Sequence, residues 1–208
     1  ALYYSDRPEE LSAADLVILP GTKNTMGDLK WLRETGMEAA IQRKYGEGCF
    51  VFGVCGGFQM LGMRLSDPFG VEEGGTLLPV ETVFSREKTR TRVKGIASVF
   101  EAWGEAARPG LTGYEIHMGE TRRSGGRPCA SLKEETDPAG DGTASKEDGC
   151  IQGRAAGTYV HGFFDSEEVL EAVWDLLAGK YGVSREHFSE NGRFSAAAHS
   201  SIKSWRGS

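Results

Sequence analysis

One cysteine of the sequence lies in a setting suited to nucleophilic chemistry. Cys55 follows an apolar run, residues 50–54, and has Gly53 two positions before it and Gly57 two positions after it. A G-x-C-x-G pattern between a strand and a helix is typical of a sharp turn that exposes a nucleophile, because only small neighbours fit there. The helix N-terminus should lower the pKa of the thiol, and the backbone N–H of Gly56 could stabilise an oxyanion. The alternative is a small buried cysteine in a glycine-rich bend.

A thiol nucleophile needs a base, and the sequence offers four histidines. His161 ends a β-like run, residues 157–161, which indicates a strand end at the active edge of the sheet. His117 lies inside another strand-like segment, where a histidine bonded to a neighbour is the simpler interpretation. His187 and His199 lie in a polar tail. We therefore predict His161 as the base, with a packed histidine as the alternative.

The other three cysteines show neither a CxxC pair nor the spacing of a secreted disulfide framework. These residues are Cys49, Cys129 and Cys150. We interpret them as reduced thiols with structural or incidental roles. No apolar run reaches the length of a membrane span and no signal peptide opens the chain, so we expect a cytoplasmic protein.

The charge balance argues against nucleic acid as a partner. The formal net charge is -6, and an acidic protein repels phosphate backbones. The one cluster of positive charge, residues 88–94, alternates with threonines and is interpreted as a solvated strand face.

The pattern of apolar residues predicts an α/β fold in which a mostly parallel sheet is flanked by helices. Continuous apolar runs predict buried strands, and period-3.6 patterns predict helices. The predicted strands of this layer are residues 15–19, 49–54 and 157–161, with a further short run at 2–4. The predicted helices are residues 25–45, broken at Gly36, residues 58–65, and a helix that begins at Asp165 or Ser166.

The middle of the chain has a different composition and predicts an antiparallel excursion. Residues 76–84, 91–95 and 113–117 are rich in β-branched or aromatic residues and predict strands. Residues 119–149 are polar and glycine-rich and predict a surface loop. Residues 182–208 form a polar tail without a clear pattern. We expect all 208 residues to belong to one domain.

At this point the sequence resembles a known family. Gly53-Val54-Cys55-Gly56-Gly57-Phe58-Gln59-Met60-Leu61-Gly62 resembles the nucleophile turn of class I glutamine amidotransferases, and the two glycines after cysteine are similar to the cobyric acid synthase branch. Four further segments agree in kind and order: Leu19-Pro20-Gly21-Thr22-Lys23-Asn24-Thr25, Leu78-Pro79-Val80-Glu81-Thr82, Gly113-Tyr114-Glu115-Ile116-His117-Met118-Gly119 and Gly157-Thr158-Tyr159-Val160-His161-Gly162.

The resemblance implies a flavodoxin-like fold and a reaction. Glutamine would be hydrolysed through a γ-glutamyl thioester on Cys55, with His161 as base. The resemblance also implies that the N–H groups of Gly21 and Gly56 form the oxyanion hole. Gln59 matches the position that helps to hold glutamine, and the alternative for Gln59 is an amide on a helix surface.

The released ammonia would amidate carboxylates of a corrin substrate on an ATP-dependent synthase domain. The resemblance places that domain, which uses ATP and Mg, in the same chain before the amidotransferase. The sequence has no G-x-x-x-x-G-K-[ST] loop, so we interpret it as the amidotransferase part of a longer protein. We expect L-glutamine as its substrate, and no cofactor or metal in this domain.

One position departs from the usual class I pattern, and the third member of the catalytic triad stays open. Class I enzymes usually carry an acid two residues after the histidine, where this chain has Phe163. Asp165 and Glu115 are candidate third members, and a Cys–His dyad is the default.

The alternatives for the whole chain are a stand-alone amidotransferase subunit that acts on peptidoglycan precursors, and an inactive fragment that only docks on a synthase.

Overall fold

Two β-sheets carry the fold in the computed structural model, which describes residues 2–135 and 145–182. In chain order the strands are β1 (Leu16–Leu19), β2 (Phe50–Val54), β3 (Arg64–Asp67), β4 (Gly70–Glu73), β5 (Val80–Ala97), β6 (Gly110–Arg123), β7 (Ala130–Glu134), β8 (Lys146–Asp148), β9 (Cys150–Gln152), β10 (Ala155–Thr158) and β11 (Val160–His161). The helices are α1 (Thr25–Glu34), α2 (Met37–Gly46), α3 (Gly56–Met60), α4 (Val99–Ala102) and α5 (Glu167–Lys180).

The first sheet has the strand order β1–β2–β10–β9. β1, β2 and β10 run parallel, and β9 pairs antiparallel with β10. β2 lies between its two parallel neighbours, and its first four residues are buried. This burial explains its continuous apolar sequence, because both faces of a central parallel strand are covered.

The second sheet has the strand order β11–β6–β5–β3–β4, with β7 and β8 attached beside β5. β5 and β6 are long antiparallel strands of 18 and 14 residues. β11 pairs antiparallel with β6, so that His161 lies opposite Tyr114. The chain therefore enters the second sheet at β11, whose last residue is the predicted catalytic base.

Helices cover the first sheet on both sides, and the core accordingly divides into two clusters. Alternate residues of β2 face opposite sides, as the period of a strand requires. Val51 belongs to the cluster under α1 and α2, whereas Phe52 belongs to the cluster under α4 and α5. Gly36 adopts a left-handed φ of 78° between α1 and α2, which confirms the predicted break in that helical region.

The predicted α/β class is confirmed, but the antiparallel part is larger than the sequence indicated. Residues 80–84 of the predicted strand 76–84 and all of the predicted strand 91–95 belong to the single strand β5, whereas residues 76–79 precede it. The prediction of a surface loop at 119–149 is wrong for much of its length, because β6 continues to Arg123 and because β7 and β8 pair beside β5. Leu132 of β7 is fully buried, and this tertiary packing overrides the polar composition of the segment.

Two smaller predictions are also wrong. Residues 2–4 are exposed and pair with no strand in the described part of the chain. The predicted helix at 58–65 ends at Met60, because Arg64 begins β3 and pairs with both β4 and β5. Residues 136–144 of the predicted loop and the tail from 183 onward lie outside the described residues.

Ser166, one of the two predicted N-cap residues, is the N-cap of α5. Its hydroxyl donates to the carbonyl oxygen of Gly110, at 2.8 Å, and so ties the helix start to β6.

Within the described ranges, no helix has both the length and the apolar character that crossing a bilayer demands.

Phe52 provides a test of this core. Its ring centroid lies 4.8 Å from that of Phe163 and 5.1 Å from that of Phe164. We expect Phe52→Ala to lower the free energy of unfolding by about 3–5 kcal/mol, because it removes a fully buried ring and leaves a cavity. Urea denaturation measures the change. The exposed Val83 of β5 is the control, and an equal loss in Val83→Ala would contradict the assignment of the core.

Candidate active site

Cys55 lies on a strained turn between β2 and α3. Its backbone has φ 51° and ψ −111°, a conformation that costs a non-glycine residue roughly 1–3 kcal/mol. A Cβ on Gly53 would lie 2.5 Å from the backbone nitrogen of Phe58, and one on Gly57 would lie 2.1 Å from the carbonyl oxygen of Leu19. Both flanking positions therefore require glycine, as the G-x-C-x-G pattern predicts.

The structure brings Cys55 and His161 together at one backbone oxygen. The carbonyl oxygen of Ile116 lies 3.1 Å from Cys55 Sγ and 3.2 Å from His161 Nε2. Gly21 lies beside both residues: a Cβ built on it would be 3.5 Å from the Cys55 Cβ and 3.2 Å from His161 Cε1. Three segments distant in sequence thus converge at the carboxyl ends of the parallel strands, where open α/β sheets bind ligands.

The hydrogen bonds define where the protons lie. A carbonyl oxygen only accepts, so both the Cys55 thiol and the His161 Nε2–H donate to Ile116. A neutral imidazole then keeps its lone pair on Nδ1. Sequence analysis did not identify the Ile116 carbonyl, because a backbone acceptor carries no signature in the type of its side chain.

Burial keeps both reactive groups neutral. Burial raises the pKa of the Cys55 thiol, and the backbone N–H of Gly56 opposes this only in part. Burial lowers the pKa of His161, opposed by its bond to Ile116. The prediction of a lowered thiol pKa is wrong for this arrangement. The helix after Cys55 has only five residues, and the cost of removing the thiolate from water outweighs the hydrogen bond from the Gly56 N–H.

The loop after β1 packs directly against the nucleophile turn. A Cβ on Gly56 would lie 2.4 Å from Thr22 Cγ2, which shows how closely the two segments approach. Gly21 and Gly56, the two predicted oxyanion donors, therefore flank Cys55 from both segments. Their role in binding an oxyanion stays a prediction.

Gln59 is buried, so the alternative of an amide on a helix surface is wrong. Its Oε1 accepts from Thr25 Oγ1 at 3.3 Å. Its Nε2 donates to Tyr159 Oη at 3.1 Å and to the carbonyl oxygen of Met118 at 3.4 Å. Gln59 thus ties α3 to α1, to β6 and to the segment that leads to His161, while its contact with substrate stays a prediction.

Neither candidate third residue is shown to orient His161. Burial alone would raise the pKa of Glu115, but bonds from His117 Nε2, at 3.2 Å, and from Lys146 Nζ lower it overall. Asp165 ends a short 3-10 helix after His161, and its backbone N–H donates to Gly162 at 2.9 Å. Phe163 packs in the core.

Within the described residues, the other histidine and the other cysteines have structural surroundings. His117 Nδ1 lies 3.1 Å from the carbonyl oxygen of Gly119, and its ring stacks on that of Tyr159 with centroids 4.0 Å apart. The other cysteines are buried free thiols: Cys49, Cys129 and Cys150. Among the described residues, no group of three or more His, Cys, Asp or Glu side chains is arranged to hold a metal ion.

A buried carboxylate near the site escaped sequence analysis. Asp148, at the end of β8, accepts hydrogen bonds from the hydroxyl of Thr158 and from the backbone N–H of Tyr159, the latter at 3.1 Å. Burial raises the pKa of Asp148 to about 6, opposed by these two bonds. Its sequence context, inside a polar segment, gave no signal of burial.

The fold is that of solved glutamine amidotransferases. One solved relative, "Structure of PurLQS from Thermotoga maritima", has a TM-score of 0.56 at 17% identity and covers 80% of this chain and 82% of its own. Another, "Crystal structure of glutamine amidotransferase", has a TM-score of 0.52 at 17% identity, with 84% and 85% covered. At this identity the likeness concerns the fold.

The chain belongs to the family described as CobB/CobQ-like glutamine amidotransferase domain, which matches residues 1–169. It is 44% identical over 190 residues to the cobyric acid synthase of Ruminiclostridium cellulolyticum, covering 88% of this chain and 36% of that protein. It is 41% identical to the Klebsiella pneumoniae cobyric acid synthase, with 87% and 36% covered. The chain thus spans about a third of the length of these relatives.

The close approach at Gly57 provides a test of the turn. We expect Gly57→Ala to destabilise the fold by several kcal/mol or to prevent folding, because the added methyl collides with the backbone of Leu19. Gly46→Ala is the matched control, since a Cβ there meets nothing within 4 Å. Thermal unfolding of both variants measures the difference, and a stable Gly57→Ala protein would contradict the turn geometry.

The burial of Cys55 predicts how its reactivity depends on pH. Because burial raises the pKa of the thiol, the thiolate fraction should increase about tenfold per pH unit from pH 6 to 8. Alkylation by iodoacetamide, followed by mass spectrometry, should show this slope at Cys55. Cys55→Ala should remove the label, since the other three cysteines are buried. A rate that is already constant at pH 7 would show a preformed thiolate instead.

Proposed function

We propose that this chain is the glutamine-hydrolysing part of a cobyric acid synthase. The observation that carries the proposal is the meeting of Cys55 and His161 at the Ile116 carbonyl, on a strained turn in a chain of this family. L-glutamine is the substrate, and ammonia and glutamate are the products. The cobyric acid synthases among its relatives support the specific assignment.

The proposed reaction has two stages. The Cys55 sulfur attacks the side-chain amide carbon of glutamine while His161 takes the thiol proton. The tetrahedral oxyanion, held by the N–H groups of Gly21 and Gly56, collapses when His161 protonates the leaving nitrogen and ammonia departs. A water molecule, deprotonated by His161, then cleaves the γ-glutamyl thioester and restores the thiol.

The first proton transfer requires a change from the resting hydrogen bonds. Both the thiol and the His161 Nε2–H point to the Ile116 oxygen in the structure. The thiol must turn towards an imidazole nitrogen that carries a lone pair, and we infer that binding of glutamine rearranges the contacts at Ile116. Because both groups are neutral at rest, His161 acts as a general base instead of holding a preformed thiolate.

A Cys–His dyad accounts for the chemistry without a third acid. The carboxylate of Glu115 already binds His117 and Lys146, which argues against Glu115 as the partner of His161. Asp165 stays a candidate because it lies four residues after the base. Gln59 would contact glutamine from α3, in addition to the bonds that it makes within the protein.

The ammonia would serve an ATP- and Mg-dependent synthase domain, normally in the same chain, which amidates corrin carboxylates. The greater length of the cobyric acid synthase relatives supports such a partner. In this proposal the amidotransferase domain itself uses no cofactor, and the whole protein works in the cytoplasm. The same relatives favour this partner over a synthase of peptidoglycan precursors.

Cys55→Ala in the natural polypeptide tests the proposal. We expect glutamine-dependent amidation to fall at least about a thousandfold, because the nucleophile is lost. Amidation supplied with ammonium salt should stay at the wild-type rate, since it bypasses the thioester. The rate of corrin amidation with each nitrogen source measures both.

Cys49→Ala is the control, because Cys49 is a buried thiol immediately before β2 with no place in the site. Equal loss of both activities in Cys55→Ala would contradict a separate glutaminase. A wild-type protein without any glutaminase activity would instead support the inactive docking fragment.

A further inference from the structure

The catalytic pair is assembled across two sheets, so its geometry depends on the contacts that fix the two sheets relative to each other. Cys55 follows β2 of the first sheet, whereas His161 ends β11 of the second. The chain passes between the sheets at 158–160, because β10 pairs with β2 and β11 pairs with β6. A small shift at this crossing would move the imidazole relative to the sulfur.

A second crossing lies directly beside the first. β8 pairs with β7 in the second sheet and β9 pairs with β10 in the first, so the chain also changes sheets at 148–150. Gly149 has φ 69°, and a Cβ on it would lie 2.0 Å from the carbonyl oxygen of Gly157. The two crossings are therefore in backbone contact.

Asp148 connects these two crossings. Its carboxylate accepts from the Thr158 hydroxyl and from the Tyr159 N–H. The Thr158 hydroxyl oxygen in turn accepts from the N–H of Val160, at 3.1 Å. One buried carboxylate thus determines the path of the three residues that precede His161.

The same crossing also holds the nucleophile. The carbonyl oxygen of Thr158 accepts from the backbone N–H of Cys55 at 2.8 Å. The side chain of Tyr159 binds Gln59 at 3.1 Å and packs edge-on against Phe58 of α3. Movement of the crossing would therefore change the position of both reacting groups.

We propose that Asp148 is a positioning residue for the reaction: through Thr158 and Tyr159 it holds the crossing that aligns His161 with Cys55. The proposal rests on the proposed glutaminase function, and Asp148 itself touches neither substrate nor sulfur. Asp148 would thus be a buried acid behind the catalytic pair. The usual position of such an acid, two residues after the histidine, is Phe163 in this chain.

The test uses Asp148→Ala in the natural polypeptide, assayed for glutaminase activity. We expect kcat to fall at least about tenfold while KM for glutamine changes less than about threefold, since misplacement of the base affects the chemical step most. Asp148→Asn should lose less, because its amide oxygen still accepts from Tyr159 N–H, although its NH2 group cannot accept from Thr158. Asp148→Asn also decides the question if Asp148→Ala does not fold: wild-type kcat in Asp148→Asn would then overturn the proposal.

A double-mutant cycle separates positioning from general damage. Thr158→Val removes the hydroxyl that bonds to Asp148. If Asp148 acts through this bond, adding Thr158→Val to Asp148→Ala should change kcat by less than about twofold. Leu176→Ala in α5 is the control for lost stability, because Leu176 is a buried core residue that belongs to neither crossing. It should keep kcat within about twofold at a temperature where it is folded.

Three results would overturn the proposal: wild-type kcat in a folded Asp148→Ala protein, losses that multiply in the double variant, or an equal fall of kcat in Leu176→Ala. Failure of the underlying function looks different. In that case the wild-type protein itself would release no ammonia from glutamine, and a glutamine-analogue alkylator would leave Cys55 unlabelled.

Discussion

The structure depends on the backbone contact between the nucleophile turn and the loop after β1. Cys55 has a positive φ, and the neighbouring Gly57 lies so close to Leu19 that no side chain fits between them. This packing stabilises a conformation that an isolated peptide would leave, because relaxation of the turn would break contacts on both sides. The strain is therefore maintained by the sheet, and its result is a thiol directed at the sheet edge.

The second constraint is that the base comes from a different sheet. Pairing of β11 with β6 brings His161 to the edge where β2 ends, and the backbone of β6 supplies the oxygen at Ile116 that both reactive groups share. β6 therefore has two functions: it is a structural strand of the antiparallel sheet and one wall of the site. The large antiparallel sheet is part of the catalytic geometry.

Low exposure links the electrostatics of the site to its chemistry. A charged thiolate–imidazolium pair would lose much of its hydration at this depth, so the neutral forms of Cys55 and His161 are favoured. The carboxylate of Asp148 is buried more deeply, but two donated hydrogen bonds offset part of the cost. Two buried carboxylates therefore lie near the reacting groups, Asp148 and Glu115, and each is held by hydrogen bonds from its neighbours.

The sequence by itself predicted the nucleophile turn at Cys55 and the α/β class, and it indicated His161 as the base from its place at a strand end. The turn and the fold class depend on local rules: glycine where no Cβ fits, and apolar runs where strands are covered on both faces. It could not determine the extent of the second sheet, because Leu132 and Asp148 lie in a polar segment whose burial arises only from pairing beside β5.

Tertiary structure alone decided three things: which backbone oxygen lies between thiol and imidazole, in which direction burial shifts their pKa values, and which acid is buried behind them. The physical reason is common to all three. Hydrogen bonds to backbone atoms and desolvation depend on groups that are distant in sequence, as Asp148 and Thr158 show across the two crossings, and no local pattern of residue types records them.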